Sequence, residues 1–162
     1  MIEAATSSTR ASQKLVCFVL HGQQYAADID GIAETMVVRP ITRVFLTPPW
    51  LLGIINLRGD VVAVLDLAQL LGLSQTVPSD DSRIIIARHD DRNAGILVDK
   101  MAELRSLDSD TLQPPPATLS DSAAALITGV ATVQDGSPLQ VLNLPALFES
   151  DELRSFCRRG PG

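Results

Sequence analysis

The chain reads as a mainly β protein built from two small barrels of five strands each, with short helical turns and a helix near the C-terminus. Three observations carry that expectation. Apolar residues come in short runs rich in Val, Ile and Leu and bounded by Gly, Pro, Asn or Asp, a pattern of strands and hairpins rather than of long helices. Two stretches recur: Val64-Leu65-Asp66-Leu67-Ala68-Gln69-Leu70-Leu71 matches Val141-Leu142-Asn143-Leu144-Pro145-Ala146-Leu147-Phe148, and Ile29-Asp30-Gly31-Ile32-Ala33-Glu34 matches Val98-Asp99-Lys100-Met101-Ala102-Glu103, so the chain looks like a duplicated unit. Each half follows one order of strand, turn, strand, strand, loop, hairpin and short helix, and sequential pairing into a closed barrel leaves no exposed edge. The expected partition is a leader over 1–13, one domain over 14–150 with lobes at about 14–73 and 83–150, and a tail over 151–162.

In chain order, residues 1–13 are rich in Ser, Thr and Ala without a sustained period, and order is expected to begin at Lys14. Residues 15–20 form an apolar strand, His21-Gly22-Gln23-Gln24 a turn, and residues 25–29 the returning strand. Val37-Val38 favour a third strand that Pro40 ends. Residues 41–52 are a loop around Pro48-Pro49-Trp50; its Phe45, Leu46 and Trp50 are expected to cap an open barrel end, with a partner-binding surface as the alternative. Residues 54–57 and 61–65 make a hairpin whose turn, Arg58-Gly59-Asp60, uses Gly59 to reach positive φ. Arg58, at the end of an apolar strand, either meets a nearby carboxylate or carbonyl or points into a surface site. Asp66 is placed to cap a helical turn that Gly72 ends. A polar linker over 73–82 separates the second set of strands at 83–88, 94–98 and 101–107; the rigid Pro114-Pro115-Pro116 follows, then a hairpin from 127–133 and 139–142, then a helix from about 144 to 156. The expected core includes Val16, Phe18, Ile55, Val64, Ile85, Leu97, Val130 and Val141.

Composition narrows the function. With a net charge of −6 the chain lacks the cationic stripe that phosphate backbones need, its only basic cluster being Arg154, Arg158 and Arg159 in the tail, so no nucleic-acid partner is expected. Aromatic residues at 4% leave no stacking platform for bases. The longest apolar runs fall far short of a bilayer span and Met1-Ile2-Glu3-Ala4 does not open like a signal peptide, so the reading is cytoplasmic without membrane insertion. Cys17 in a strand and Cys157 in the tail do not form a disulfide framework, and Cys17 reads as a buried thiol.

Catalytic groups are sparse. His21 and His89 read as solvated turn residues, and Asp80-Asp81 and Asp90-Asp91 lack the alternating oxygen ligands of a calcium loop. With no phosphate cradle, nucleophile elbow or supported Cys–His pair, no catalytic residue, metal or cofactor is assigned, and a binding module is favoured over a small enzyme with an unrecognised site or a ligand-binding barrel.

The stretch Gly53-x-x-Asn56-Leu57-Arg58-Gly59-x-Val61-x-x-Val64-x-Asp66-Leu67 closely resembles the core signature of CheW-like chemotaxis coupling proteins. Tyr25, Ile32-x-Glu34, Ile41-Thr42-Arg43 and Thr47-Pro48 look like that family's first lobe, and Gly95-x-x-Val98-Asp99, Pro114 to Pro116 and Gly129 like its second. The resemblance implies two SH3-like five-stranded barrels and a non-catalytic adaptor between the cytoplasmic tip of a chemoreceptor and the regulatory domain of a CheA-type histidine kinase, itself built like CheW. It further implies recruitment to membrane-associated receptor arrays. By position, Ile32, Glu34, Arg58 and Leu104 correspond to the receptor-facing set, and Ile41, Arg43, Val44 and Val61 to the kinase-facing set. Four places depart from the pattern: Ala63, Ala68, Ala117-Thr118, and Phe45-Leu46, which puts bulk beside the kinase-facing surface.

Overall fold

A computed structural model describes residues 12–133 and 135–156. Its strands are β1 (Ser12–Leu20), β2 (Gln23–Asp28), β3 (Ile32–Val37), β4 (Leu51–Leu57), β5 (Asp60–Asp66), β6 (Arg83–His89), β7 (Arg92–Val98), β8 (Lys100–Asp108), β9 (Ile127–Thr132) and β10 (Pro138–Leu142). Four short helices follow strands or loops: α1 (Leu67–Leu70), α2 (Asp121–Ala124), α3 (Leu144–Glu149) and α4 (Asp151–Phe156). β1 starts at Ser12, ahead of the expected Lys14, because Gln13 and Lys14 pair with Leu107 and Ser106 on β8. The rest of the expected leader lies outside the described residues, as do Cys157, Arg158 and Arg159.

The strands form two five-stranded sheets, ordered β8-β1-β2-β10-β9 and β3-β6-β7-β5-β4. This strand pairing differs from the sequential grouping expected for 14–73 and 83–150. Each sheet combines the opening hairpin of one half with the last three strands of the other, and raising each strand number by five, cyclically, turns the first order into the second. The duplication is therefore real but intertwined. The join in each sheet is a parallel pair, β2 with β10 and β5 with β7, which no tight turn can make and no local sequence signal announces.

Each sheet rolls up through the segment that follows its outer strand. After β3 the chain crosses to β4, where Thr42 and Ile54 exchange two backbone hydrogen bonds of 2.8 Å each. After β8, Gln113 and Val130 exchange the equivalent pair, also at 2.8 Å. Gly53 and Gly129 hold equivalent places beside these crossings: a Cβ would lie 2.2 Å from the Thr42 carbonyl oxygen at the first and 2.8 Å from the Gln113 carbonyl oxygen at the second.

Three apolar clusters follow from this closure. One fills the β3–β7 barrel with Ile55, Leu57, Val64, Ile84, Ile86 and Leu97, and one fills the other barrel with Leu15, Cys17, Ala26, Leu139 and Val141. The largest lies between the barrels and takes Phe18 and Leu20 from one sheet, Ile85, Ile96 and Val98 from the other, and Phe148 from α3. Successive residues of β6 thus face opposite cores, so Ile84-Ile85-Ile86 is buried on both faces and reads as a continuous apolar run. The expected core positions are buried except Val130, which is half-buried because Ile127, Gly129 and Ala131 are the inward residues of β9.

Two local expectations are corrected, and one element is added. The C-terminal helix is broken at Ser150, whose backbone is extended and whose hydroxyl donates to the Leu147 carbonyl and accepts from the Leu153 amide. The short helix α2 appears within the long connection after β8, where Ser120 accepts from the Ala123 amide as its N-cap. Asp66 makes no side-chain cap to α1; its equivalent Asn143 does cap α3 through the Ala146 amide.

Candidate functional site

The hairpin of β4 and β5 turns through Arg58 and Gly59, both at positive φ, 52° and 90°, the pattern of a two-residue hairpin turn matched to strand twist. That turn directs the Arg58 side chain toward the outer strand at the far edge of the same sheet. There its Nη1 and Nη2 donate to the two carboxylate oxygens of Glu34 at 2.6 and 2.8 Å. The fork is bidentate, the Arg58 side chain is 70% exposed, and Ile32 lies two residues back on β3, packed against the inter-barrel core. The Arg58 hydrogen bonds hold the Glu34 carboxyl below the usual glutamate range, with smaller contributions from the charges of Arg58, Arg39 and Arg88, while Glu34 pushes the Arg58 guanidinium up. Of the two alternatives for Arg58, the structure shows the contact with a nearby carboxylate, made at an exposed position.

The structure brings Ile32, Glu34 and Arg58 together on one barrel. Leu104 belongs to the other sheet, on β8 opposite Val16, and is 65% exposed. Of the second set, Ile41, Arg43 and Val44 flank the Thr42 crossing, and Val61 lies opposite Asn56 on the strand that Thr42 pairs with, so the four gather about β4. Their exposures differ. Val44 and Val61 are exposed, whereas Ile41 is half-buried and packs on the barrel interior. Phe45 and Leu46 do not cap the barrel end: they are 92% and 103% exposed, and only Trp50 of that trio packs against the core.

A cleft of about 410 Å³ opens between the barrels, lined by residues of both sheets including Asp28, Arg88, His89 and Asn143. Several of its polar groups are already engaged. Asp28 accepts from Gln13 Nε2 and from the Asp30 amide, and Asn143 caps α3. His89 departs from the expected solvated turn residue: its ring stacks on Phe148 with centroids 5.7 Å apart, and its Nε2 lies 3.5 Å from a Glu149 carboxylate oxygen. Arg92 completes this cluster by donating to the Phe148 carbonyl and to Glu149, which together tie α3 to the β6–β7 hairpin. Nothing local in the sequence marks that cluster, since its members are some fifty residues apart along the chain. Among the described residues no group of three or more His, Cys, Asp or Glu is placed to hold a metal ion, and no helix is long and apolar enough to cross a membrane.

A family model, the CheW-like domain, matches residues 14–152. The chain belongs to the CheW-like family. A protein named chemotaxis protein CheW from Rhizobium meliloti (strain 1021) is 29% identical over 152 residues, covering 94% of this chain and 97% of that one. Another chemotaxis protein CheW, from Helicobacter pylori, is 35% identical over 111 residues, covering 67% of this chain and 66% of that one. The crystal structure of the scaffolding protein TtCheW from Thermoanaerobacter tengcongensis superposes with a TM-score of 0.77 at 33% identity, covering 88% of this chain and 91% of that one. The expected all-β, two-lobed CheW fold is present, and the role that goes with it is that of a chemotaxis coupling adaptor. On the first barrel the exposed features are the Glu34–Arg58 ion pair and the large apolar side chains Val44 and Val61 near β4.

Proposed function

We propose that this chain couples a chemoreceptor to a CheA-type histidine kinase through two chemically different surfaces, without catalysis of its own. The receptor tip docks where Ile32 supplies an apolar anchor and the Glu34–Arg58 pair supplies register, with Leu104 contributing from the second barrel. The kinase regulatory domain docks on Val44, Val61 and Arg43, with Ile41 supporting that surface from below. Coupling of this kind recruits a cytoplasmic protein to membrane-associated receptor arrays. The observation that carries the reading is the contrast on one barrel between an exposed bidentate ion pair and exposed large apolar side chains, since ion pairs set orientation and apolar anchors set affinity.

The test is a two-by-two titration of purified variants against a soluble receptor signalling fragment and a kinase regulatory domain. Arg58→Ala should weaken receptor binding by about tenfold or more and leave the kinase untouched, and Val61→Asp should do the reverse. Val61, 68% exposed, is a cleaner probe than Ile41, whose substitution disturbs the barrel interior as well. Parallel losses for both partners from either variant would defeat the two-surface reading.

A further inference from the structure

The intertwined duplication provides an internal control for the exposed apolar residues. Because the two barrels share one strand order, each position in one has a counterpart in the other at the same place in the pairing. Val61 lies opposite Asn56, and its counterpart Pro138 lies opposite Thr132. Val37 faces Arg83 on β6, and its counterpart Ser106 faces Lys14 on β1. After the crossing residue the first barrel continues Arg43-Val44-Phe45-Leu46, and the second, after Gln113, continues Pro114-Pro115-Pro116-Ala117. The same fold therefore closes without large exposed apolar side chains at these places, and folding gives no reason for Val37, Val61, Phe45 and Leu46 to be there.

Backbone geometry adds a second argument. Leu46 sits at φ 61°, a region that Gly or Asn occupies at less cost than a branched side chain, while its own side chain is fully exposed and gains nothing from packing. The loop that holds it is nevertheless fastened: Thr47 Oγ1 donates to the Val44 carbonyl at 2.9 Å, the Leu51 amide donates to the Pro48 carbonyl at 3.0 Å, and Pro48-Pro49 stiffens the chain between. A preorganised apolar projection of this kind loses little entropy when it enters a pocket.

The charges beside it indicate what the pocket looks like. In a chain of net charge −6, two cations lie by this patch: Arg43 is exposed with no ion-pair partner among the described residues, and Arg39, also exposed, holds the Asn56 carbonyl beside Val61, with Asp60 the acidic neighbour on the turn side of Val61. We infer that Phe45 and Leu46 are the specificity-determining anchor of this surface, inserted into an apolar pocket rimmed by carboxylates on the regulatory domain of its cognate CheA-type kinase. This inference rests on the proposed kinase-facing role of the same surface. It adds that partner choice resides in two residues beyond the Ile41, Arg43, Val44 and Val61 set.

The experiment titrates the full chain, the double variant F45S/L46N and the single variant R43E against the source organism's CheA-type regulatory domain and against one from a distant species. Asn tolerates positive φ, so the double variant should melt no lower than the parent. Expected results are a loss of about thirtyfold or more for the cognate domain in F45S/L46N, little change for the distant one, and a weaker, more salt-sensitive loss in R43E. If the parent binds the cognate domain and the double variant binds it within twofold, the anchor is refuted while the kinase-facing surface stands. If the parent binds neither domain but still binds a receptor fragment, the kinase-facing reading itself fails and the anchor with it.

Discussion

Removing the Asp66 carboxylate should loosen the segment that joins the two halves of the chain. Asp66 is fully buried at the end of β5, and instead of capping α1 it turns to Thr76, itself 2% exposed. One carboxylate oxygen accepts from Thr76 Oγ1 at 2.9 Å and the other from the Thr76 amide at 2.9 Å, with Gln69 Nε2 more distant at 3.4 Å. Asp66→Ala deletes two good hydrogen bonds to a charged acceptor, each worth about 1.5–3 kcal/mol, which bounds the cost at about 3–6 kcal/mol. The 73–82 segment can partly peel away and rehydrate Thr76, so a value near the lower bound of about 3 kcal/mol is expected. With a urea m-value of about 2 kcal/mol per molar, the midpoint should drop by about 1.5 M. Asp66→Asn should cost far less, about 1 kcal/mol, because its carbonyl can accept from the Thr76 amide while its amide donates to the rotatable Thr76 hydroxyl. Urea titration of both variants, with amide exchange at Thr76 as the local readout, checks the argument. Equal costs for Ala and Asn, or Thr76 exchange unchanged in Asp66→Ala, would refute it.

Gly53→Ala should destabilise by about 3 kcal/mol or more and Gly129→Ala by less, since the first drives a methyl onto the Thr42 carbonyl at 2.2 Å and the second reaches the Gln113 carbonyl at 2.8 Å; thermal melts of the pair decide. Leu97→Ala should cost about 2–5 kcal/mol, and Val130→Ala clearly less, because only the first fills a barrel interior. Glu34 has its carboxyl lowered in the folded protein, so what its ionised form contributes is complete above the ordinary value of 4.5 and is lost as pH falls through the lower folded value. Receptor affinity should accordingly stay level from neutral pH to about pH 5 and weaken only below it, and a midpoint near neutrality would show that another group governs binding. Arg92→Ala should raise the proteolytic susceptibility of α3 and α4 without altering either proposed docking surface, because Arg92 holds the Phe148 carbonyl and Glu149 rather than a partner.

Much of the fold was legible because it is local. The runs at Ile84-Ile85-Ile86 and Val61 to Leu65 are strands for reasons of short-range pattern, and Arg58-Gly59 is a turn because the linkage between two strands demands positive φ. The duplication was legible through Val64 to Leu71 and its counterpart. What escaped was the pairing of distant strands. A hairpin announces its partner, whereas β2 lies parallel to β10 more than a hundred residues later and no residue of either specifies the other. Chemistry at single residues follows the same division: Glu34 and Arg58 stand out in the sequence, but their bidentate contact depends on barrel closure, and Asp66 holds the standard cap position before α1 yet binds Thr76 instead. Val37 lies at the outward phase of the β3 alternation, so period alone could have marked it as exposed.

The exchange of strands bears directly on coupling. If each half closed on itself, the two barrels would be joined by a polar linker and could turn about it, and a partner held by one would be free relative to a partner held by the other. Here the chain passes between sheets after β2 and again after β7, and the largest apolar cluster lies between the barrels, drawing Phe18 from one sheet, Ile85 and Ile96 from the other, and Phe148 from α3. Parting the barrels would expose that cluster to water while the β2–β3 and β7–β8 connections still tie them at two points, so the shared core opposes hinging. The proposed receptor contacts at Ile32, Glu34, Arg58 and Leu104, which span both barrels, are thereby held by the shared core in register with the proposed kinase-facing residues around β4. A coupler that works by position needs this stiffness more than it needs any chemistry of its own.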